Sequence, residues 1–148
     1  MVDKGQGTRQ LTTSLDQPRE LQPRELVLPG VPQSAREARQ FAREYVMRTE
    51  PTASDDYVDA IVLATSELVT NSIRHGTEPG DSLALKLHTR HGRTRVEVRD
   101  PVRRRPRLRP ESHTREGGRG LVILDGLCHW GVDDAPLGKV VWAEVIAK

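Results

Sequence analysis

The chain has 148 residues, the size of one ordinary globular domain with a single core. Only 3% of the residues are aromatic and 35% are hydrophobic, so the core must consist mainly of Leu, Val, Ile and Ala. Charged residues make up 30%, but the formal net charge is +2 and acids and bases are mostly interspersed. This distribution argues against a nucleic-acid-binding domain, in which basic residues usually concentrate on one face.

The chain contains one cysteine, Cys128, which excludes an intrachain disulfide and suits a reducing compartment. No apolar stretch approaches the length of a membrane span, and the polar residues 1–24 lack the apolar segment of a secretory signal. We therefore expect a cytoplasmic protein with no membrane partner. The five histidines have no metal-ligand spacing with the cysteine, so the sequence predicts no zinc site.

The N-terminal residues 1–23 are rich in Gln, Thr, Gly, Arg and Pro. The pentapeptide QPREL occurs twice, at residues 17–21 and 22–26. Such a composition predicts a disordered tail. One folded domain is predicted over residues 24–148.

A first strand is predicted at residues 25–28, before a Pro-Gly turn. Ser34, with Glu37 three residues later, has the spacing of a capping box, in which each side chain binds a free backbone amide at the start of a helix. The apolar residues that follow lie near helical spacing. A first helix is therefore predicted from Ser34 to about Thr49, before Pro51.

A second helix is predicted from Ser54 or Asp55 to His75, because acids favour the positive end of a helix and Gly76 follows the last residue. We expect one face of this helix to pack on a sheet. The residues predicted to be buried on that face recur every three or four positions: Tyr57, Ile61, Ala64 and Leu68.

Alternating apolar residues predict strands at residues 82–90 and 93–99, joined as a hairpin. Trp130 and Trp142 are expected in the core of a closing hairpin, although either could border an interface. The order β-α-α-β-β-α-β-β predicts an α+β fold, a two-layer α/β sandwich whose mixed, mostly antiparallel sheet carries the helices on one face. The later predicted elements are a loop, a helix and the two closing strands, at residues 101–116, 117–128, 129–133 and 139–147.

Glu67 and Asn71 are four residues apart on the second predicted helix and therefore lie on one face, with Arg74 and His75 a further turn along. An Asn oxygen suits a hard cation such as Mg²⁺, and a Glu can orient or deprotonate a hydroxyl or a water. A polar helix edge exposed to water is the commoner explanation of such a pair, so the pair alone does not establish a site.

Asp100 follows a predicted half-buried strand, where a carboxylate can accept a hydrogen bond from the exocyclic amine of a purine, although Asp before Pro is also a common turn residue. The segment 116–121, Glu-Gly-Gly-Arg-Gly-Leu, opens the helix predicted at 117–128. Small residues let a backbone approach a ligand, free amides at a helix start favour phosphate, and Arg119 could add a charged donor pair. A flexible loop is the commoner explanation of clustered glycines.

The order and spacing of these segments carry more weight than any one of them. ATSELVTNSIRHG, VEVRD, EGGRGLVIL, HWGVD and GKVVWAE together resemble the histidine-kinase-like ATPase domains of anti-sigma regulatory factors, which are serine-protein kinases, over about residues 25–146. The resemblance implies that Asn71 carries the Mg²⁺–phosphate contact, Glu67 is the catalytic base and Asp100 contacts adenine. It also implies a second glycine box beneath the phosphates at Gly118, Arg119, Gly120 and Leu121. By their positions beside these segments, Arg74, His75 and Gly117 are also predicted to bind the nucleotide.

Two departures from that family fall at the adenine end. The first glycine box of the family, Asp-x-Gly-x-Gly, is replaced at residues 100–105 by Asp-Pro-Val-Arg-Arg-Arg. The closing strand of the family often has the sequence Gly-Lys-Thr-Val-Trp, whose Thr hydroxyl supports the Asp–adenine contact, whereas Val140 has no hydroxyl. The resemblance therefore implies an ATP site with an intact phosphate end and an altered adenine end.

The resemblance implies ATP and Mg²⁺ as cofactors and a regulatory activity, in which the protein sequesters a sigma factor and phosphorylates a Ser or Thr on an antagonist protein. The alternative is a non-catalytic protein-interaction module of the same fold with a degenerate adenine pocket. The arginines at residues 103–109 suggest an ATP lid, a surface for an acidic partner or nucleic-acid binding; no aromatic residue stands among them for base stacking. Relatives tend to be dimers, and the sequence leaves open whether this chain forms a homodimer.

Overall fold

The computed structural model of the protein describes residues 22–101 and 128–147. The predicted tail up to residue 21, and the predicted loop and helix between residues 102 and 127, lie outside the described residues, so the limits of tail and domain stay predictions. The described helices and strands are β1 Arg24–Pro29, α1 Ser34–Thr49, α2 Asp55–His75, β2 Ser82–Arg90, β3 Arg93–Asp100, β4 His129–Ala135 and β5 Gly138–Ile146.

The five strands form one sheet in the order β1-β2-β3-β5-β4. Each neighbouring pair is antiparallel, so the sheet is antiparallel throughout the described residues. The last strand in sequence lies inside the sheet, between β3 and β4. Both helices share one apolar core with one face of the sheet. The predicted α+β two-layer fold is therefore confirmed.

Both predicted hairpins are confirmed. β2 and β3 are joined by His91 and Gly92, which have φ angles of 52° and 71°. Positive φ at both positions is what a tight two-residue hairpin turn requires. β4 begins as predicted but continues to Ala135, where the pairing with Gly138 closes the second hairpin.

Helix α1 begins at the predicted residue, but not through the predicted capping box. Ser34 is the first helical residue, and the N-cap residue Gln33 makes no side-chain cap hydrogen bond. The Ser34 Oγ instead donates to the carbonyl oxygen of Pro29 at 2.6 Å. The capping box is wrong because Ser34 stands inside the helix, where its hydroxyl ties α1 to the end of β1.

Helix α2 confirms the predicted limits and the predicted buried stripe. The Oγ of Ser54, its N-cap, accepts a hydrogen bond from the Tyr57 amide at 3.1 Å, and Gly76 follows its last residue. The stripe continues one turn beyond Leu68 to Ser72, which is also buried. Neither helix in the described part of the chain is long and apolar enough to cross a membrane.

The core lies between the helices and one face of the sheet, and the alternation of side chains along each strand decides which residues reach it. Val141 and Ala143 of β5 are buried in this core. Trp142 stands between them in sequence and therefore faces the opposite side of the sheet, so its predicted place in the core is wrong. Trp130 lies opposite Ala143 and packs against the core, as predicted.

A chain of buried hydroxyls joins the start of α2 to the turn between β2 and β3. The Tyr57 hydroxyl lies 2.6 Å from the Thr94 Oγ1, which lies 2.9 Å from the Thr89 Oγ1. Burial raises the pKa of Tyr57 above its ordinary value of 10.0, and the hydrogen bond to Thr94 only partly opposes this. Burial likewise raises the pKa of Tyr45. These hydroxyls lie at the end of the sheet opposite to Asp100.

Candidate functional site

Asp100 is the last residue of β3 and is only 1% exposed. It lies on the same face of the strand as Val96 and Val98, because every second side chain points to the same side. The alternation that buries the two valines therefore also buries the carboxylate. A buried carboxylate is costly unless hydrogen bonds and an opposite charge compensate it.

Lys139 supplies the opposite charge. It stands across from Asp100 in the register of β3 and β5, and its Nζ lies 2.9 Å from Asp100 Oδ1. The side chains are 2% and 0% exposed, respectively. Lys139 is buried because it precedes Val141 by two residues on the same face of β5. The two residues form a buried salt bridge, a type of contact that is strongly destabilised when one partner is removed.

Ser72 connects this carboxylate to helix α2. Its Oγ donates a hydrogen bond to Asp100 Oδ2 at 3.1 Å, and both residues are buried. Ser72 follows Leu68 by one turn on the stripe that faces the sheet. The last turns of α2 are thereby held over the end of β3.

Two glycines let the backbone pack tightly around Asp100. A β-carbon at Gly76, just after α2, would overlap the Asp100 carboxylate. A β-carbon at Gly138, the first residue of β5, would overlap the Asp100 carbonyl oxygen, which is a backbone atom. Neither glycine has a positive φ. Glycine is therefore needed at these positions because it lacks a side chain, and not because the backbone adopts an unusual conformation.

Glu67 and Asn71 lie on the flank of the stripe that α2 packs on the sheet. Each directly precedes a buried residue of that stripe, Leu68 or Ser72, and each is itself half-buried. Because Ser72 donates a hydrogen bond to Asp100, the turn of α2 that carries Asn71 lies at the end of β3. Whether Glu67 and Asn71 contact a nucleotide stays a prediction.

The other predicted nucleotide-binding residues fall into two groups. Arg74 and His75 are exposed in the last turn of α2, where positive charge suits the negative end of the helix. The glycine segment at residues 117–121 and the arginines at 103–109 lie outside the described residues.

Val140 does not border Asp100. In the register of β3 and β5 it stands opposite Arg99, whereas Lys139 stands opposite Asp100. Facing residues of antiparallel strands share one face of the sheet, so Val140 points to the opposite face from the carboxylate. The expectation that a hydroxyl at residue 140 would support the adenine contact is therefore wrong, because the residue of β5 next to the carboxylate is Lys139.

The donor atoms near the end of α2 fit a metal that arrives with phosphates. Within residues 22–101 and 128–147, no group of three or more His, Cys, Asp and Glu side chains could hold a metal ion. Mg²⁺ is commonly bound through one or two protein oxygens together with substrate phosphates. The half-buried amide oxygen of Asn71 suits that kind of binding.

A second charged cluster lies on the opposite face of the sheet. The Arg95 guanidinium stacks on the Trp142 ring, 4.4 Å from its centre, and contacts Glu97 at 2.8 Å and Glu144 at 3.2 Å. Burial lowers the pKa of Arg95, but the hydrogen bonds to the two glutamates outweigh this effect and raise it overall. The charges compensate one another across β3 and β5, so this cluster stabilises the pairing of these two strands.

Neither Ser72 nor Lys139 was predicted to belong to the site. The signal for Lys139 was the period of two along β5, which places it on the face of Val141. The signal for Ser72 was the helical period, which places it four residues after Leu68 on the buried stripe. What no local pattern indicates is that β3 pairs with β5, and only this pairing brings residue 139 to Asp100.

A comparison with protein families agrees with this architecture. The sequence model described as the histidine kinase-like ATPase domain matches residues 28–144, which is well over half of the chain. The matched segment contains both helices and includes Glu67, Asn71 and Asp100. No curated protein matches the sequence. The description of the family names neither a regulatory target nor a phosphoryl acceptor.

Proposed function

The chain belongs to the histidine kinase-like ATPase domain family, and we propose that it binds ATP at the end of the sheet where Asp100 lies. The observation that carries the proposal is the fixed position of the Asp100 carboxylate, which is buried at the end of β3 between Ser72 and Lys139. A polar group held in one orientation among apolar residues is what a ligand site needs in order to recognise one edge of a base.

In this proposal Asp100 accepts a hydrogen bond from the exocyclic amine of adenine. An ionised carboxylate offers about four lone-pair positions. It accepts from the Ser72 hydroxyl and the Lys139 ammonium, and in this proposal the exocyclic amine is a further donor to the same carboxylate. The glycines at 76 and 138, which pack against Asp100 without side chains, keep its surroundings compact.

The phosphates would lie toward Asn71 and Glu67. Asn71 would hold Mg²⁺ through its amide oxygen, and bound Mg²⁺ neutralises phosphate charge. Glu67, one turn earlier, would orient an acceptor hydroxyl and take its proton. The resemblance adds Gly118, Arg119, Gly120 and Leu121 to the phosphate end, and the neighbouring Arg74, His75 and Gly117 are proposed to bind there as well.

The finer proposal is a regulatory kinase that sequesters a sigma factor and phosphorylates a Ser or Thr on an antagonist protein. It is supported by the five segments that resemble anti-sigma regulatory factors and by the placement of Glu67 and Asn71 on one flank of α2. A non-catalytic interaction module is the second candidate. It is favoured by the absence of glycine from residues 100–105 and by the engagement of Asp100 with Lys139.

Calorimetric titration with ATP, with and without Mg²⁺, tests the binding proposal. We expect saturable binding that strengthens when Mg²⁺ is present. Thermal unfolding is an independent readout, because a ligand at 100 times its Kd stabilises the folded state by about 2.7 kcal/mol. A chain that shows neither heat of binding nor stabilisation at millimolar ATP has no ATP site of the proposed kind.

Phosphotransfer separates the kinase from the interaction module. A partner captured on the immobilised chain is incubated with γ-labelled ATP, and labelled Ser or Thr is sought in it. Labelling that Glu67→Gln suppresses supports the kinase. Binding of ATP and partner without labelling supports the module.

A further inference from the structure

A pocket of about 260 Å³ lies between the start of β1 and the end of α1. Arg24, the first residue of β1, and Arg48, in the last turn of α1, both line it. The other end of α1 begins at Ser34, which is hydrogen-bonded to the last residue of β1, Pro29. Pro29 pairs with Ser82, on the side of the sheet where Asp100 ends β3. The pocket is therefore separate from the proposed nucleotide site.

Aromatic side chains form one part of the pocket lining. Phe41 and Tyr45 are four residues apart on α1 and therefore lie on the same side of the helix. Tyr45 is only 5% exposed, and Phe41 is half-buried against the core. Rings held in this way offer a fixed apolar surface on which a second ring can pack.

Positive charge forms the other part of the lining. Arg24 and Arg48 are exposed, and the salt bridges among the described residues include neither of them. Glu44 also lines the pocket, but its Oε1 accepts a hydrogen bond from the exposed Gln40 at 3.3 Å. The described lining residues thus carry one net positive charge. A guanidinium presents a planar set of donors that matches a carboxylate.

We propose that this pocket binds a small aromatic carboxylate, in which a single ring carries one acid group. The ring would pack on Phe41 and Tyr45, and the carboxylate would accept hydrogen bonds from Arg24 and Arg48. The volume fits a ligand of this size, because drug-sized ligands usually occupy about 300–1,000 Å³. The inference is independent of the proposed ATP site, since no residue of that site lines the pocket.

Benzoate is the probe that tests this proposal. The full chain is titrated with sodium benzoate at constant ionic strength, and binding is followed by the amide signals in two-dimensional NMR. We expect saturable shifts with a Kd on the order of 1 mM, which is usual for so small a ligand. Benzamide has the same ring without the charge, and inorganic phosphate has charge without a ring. Each should bind at least about tenfold more weakly than benzoate.

Substitutions assign the binding to the two arginines. Arg24→Gln and Arg48→Gln should each weaken benzoate binding by about threefold to tenfold, because each removes a charged donor. Both side chains are exposed, so the fold should be retained. Arg36→Gln is the matched control, since Arg36 is exposed on the same helix but near its other end. It should leave the Kd for benzoate unchanged.

Several results would overturn the proposal. Benzamide or phosphate bound as tightly as benzoate would show that the pocket does not require both the charge and the ring. Unchanged affinity in both arginine variants would place benzoate elsewhere. Tighter binding in Glu20→Gln would show that the N-terminal segment of the chain itself competes for the pocket. Displacement of benzoate by Mg·ATP would place it in the nucleotide site, whereas a chain that binds benzoate but no ATP overturns only the proposed function.

Discussion

Ser72, in the last turns of α2, donates a hydrogen bond from its Oγ to Oδ2 of Asp100, at the end of β3, over 3.1 Å. Both residues are buried, so the contact fixes the rotation of this part of the helix against the sheet. The directions of Asn71 and Glu67 follow from that rotation, because all three residues belong to the same rigid helix. The proposed phosphate end and the proposed base end of the site are thus mechanically connected.

Ser72→Ala should destabilise the chain by about 1–3 kcal/mol, because it leaves a buried carboxylate with one hydrogen-bond partner fewer. Urea unfolding measures the change. Ser66→Ala on the same helix is the control, since the Ser66 hydroxyl accepts an exposed hydrogen bond from Arg39, and its loss should cost within about 0.5 kcal/mol. Equal losses in the two variants would show that the contact with Asp100 contributes nothing.

The contributions of Asp100 and Lys139 to the free energy of unfolding should be coupled through their salt bridge. Asp100→Asn and Lys139→Met should each cost about 3–5 kcal/mol, because each removes the opposite charge from beside a buried ion. The double variant should lose less than the sum of the single losses by more than about 1 kcal/mol. Additive losses in urea unfolding would mean that the two groups are not coupled.

Asn71→Ala should abolish the dependence of ATP binding on Mg²⁺, because it removes the amide oxygen proposed to hold the metal. The fold should be retained, since Asn71 is only half-buried at the edge of the core. Calorimetry with and without Mg²⁺ measures the effect, and Thr70→Ala, at the neighbouring half-buried position, serves as the control. Unchanged Mg²⁺ dependence in Asn71→Ala would remove the metal role from this residue.

Glu67→Gln should lower phosphotransfer by about 10²–10⁴-fold, the usual contribution of a general base. Binding of ATP should change little, because the substitution keeps the size of the side chain and Glu67 lies a turn away from Asn71. Rates are measured with labelled ATP and the captured partner, with the exposed Glu44→Gln on α1 as the control. A full rate in Glu67→Gln would exclude it as the base.

The stability of the folded chain should fall in alkaline solution because the buried tyrosines lose their protons. Burial raises the pKa of Tyr57 in the folded chain above 10.0, so the unfolded chain loses this proton at a lower pH than the folded chain. The contribution of Tyr57 is therefore complete below a pH of about 10 and is lost as the pH rises through the folded pKa.

Tyr57→Phe should flatten this decline above about pH 10. The substitution also removes the hydrogen bond to Thr94 and so lowers the stability at neutral pH. Urea unfolding at several pH values measures the slope. Burial also raises the pKa of Tyr45, so part of the decline in stability should remain in the variant. Identical slopes in wild type and variant would contradict the assignment.

The sequence by itself determined the elements and their buried faces, because these depend on residues that are close along the chain. The limits of α2 follow from Ser54 and Gly76, and its buried stripe follows from the helical period. The turn between β2 and β3 follows from His91-Gly92. These features involve single turns and single caps, so local physical chemistry is enough to predict them.

Tertiary structure alone decided which of these elements pack together, and therefore which residues form the site. Residue 139 borders Asp100 only because β5 pairs with β3 in one register, which leaves Val140 on the opposite face. Ser34 binds the Pro29 carbonyl instead of closing a capping box only because α1 packs beside the end of β1. Contacts of this kind join segments that are distant in sequence, and the order of these segments in the sheet depends on how the whole core is buried. No local period along the chain predicts that order.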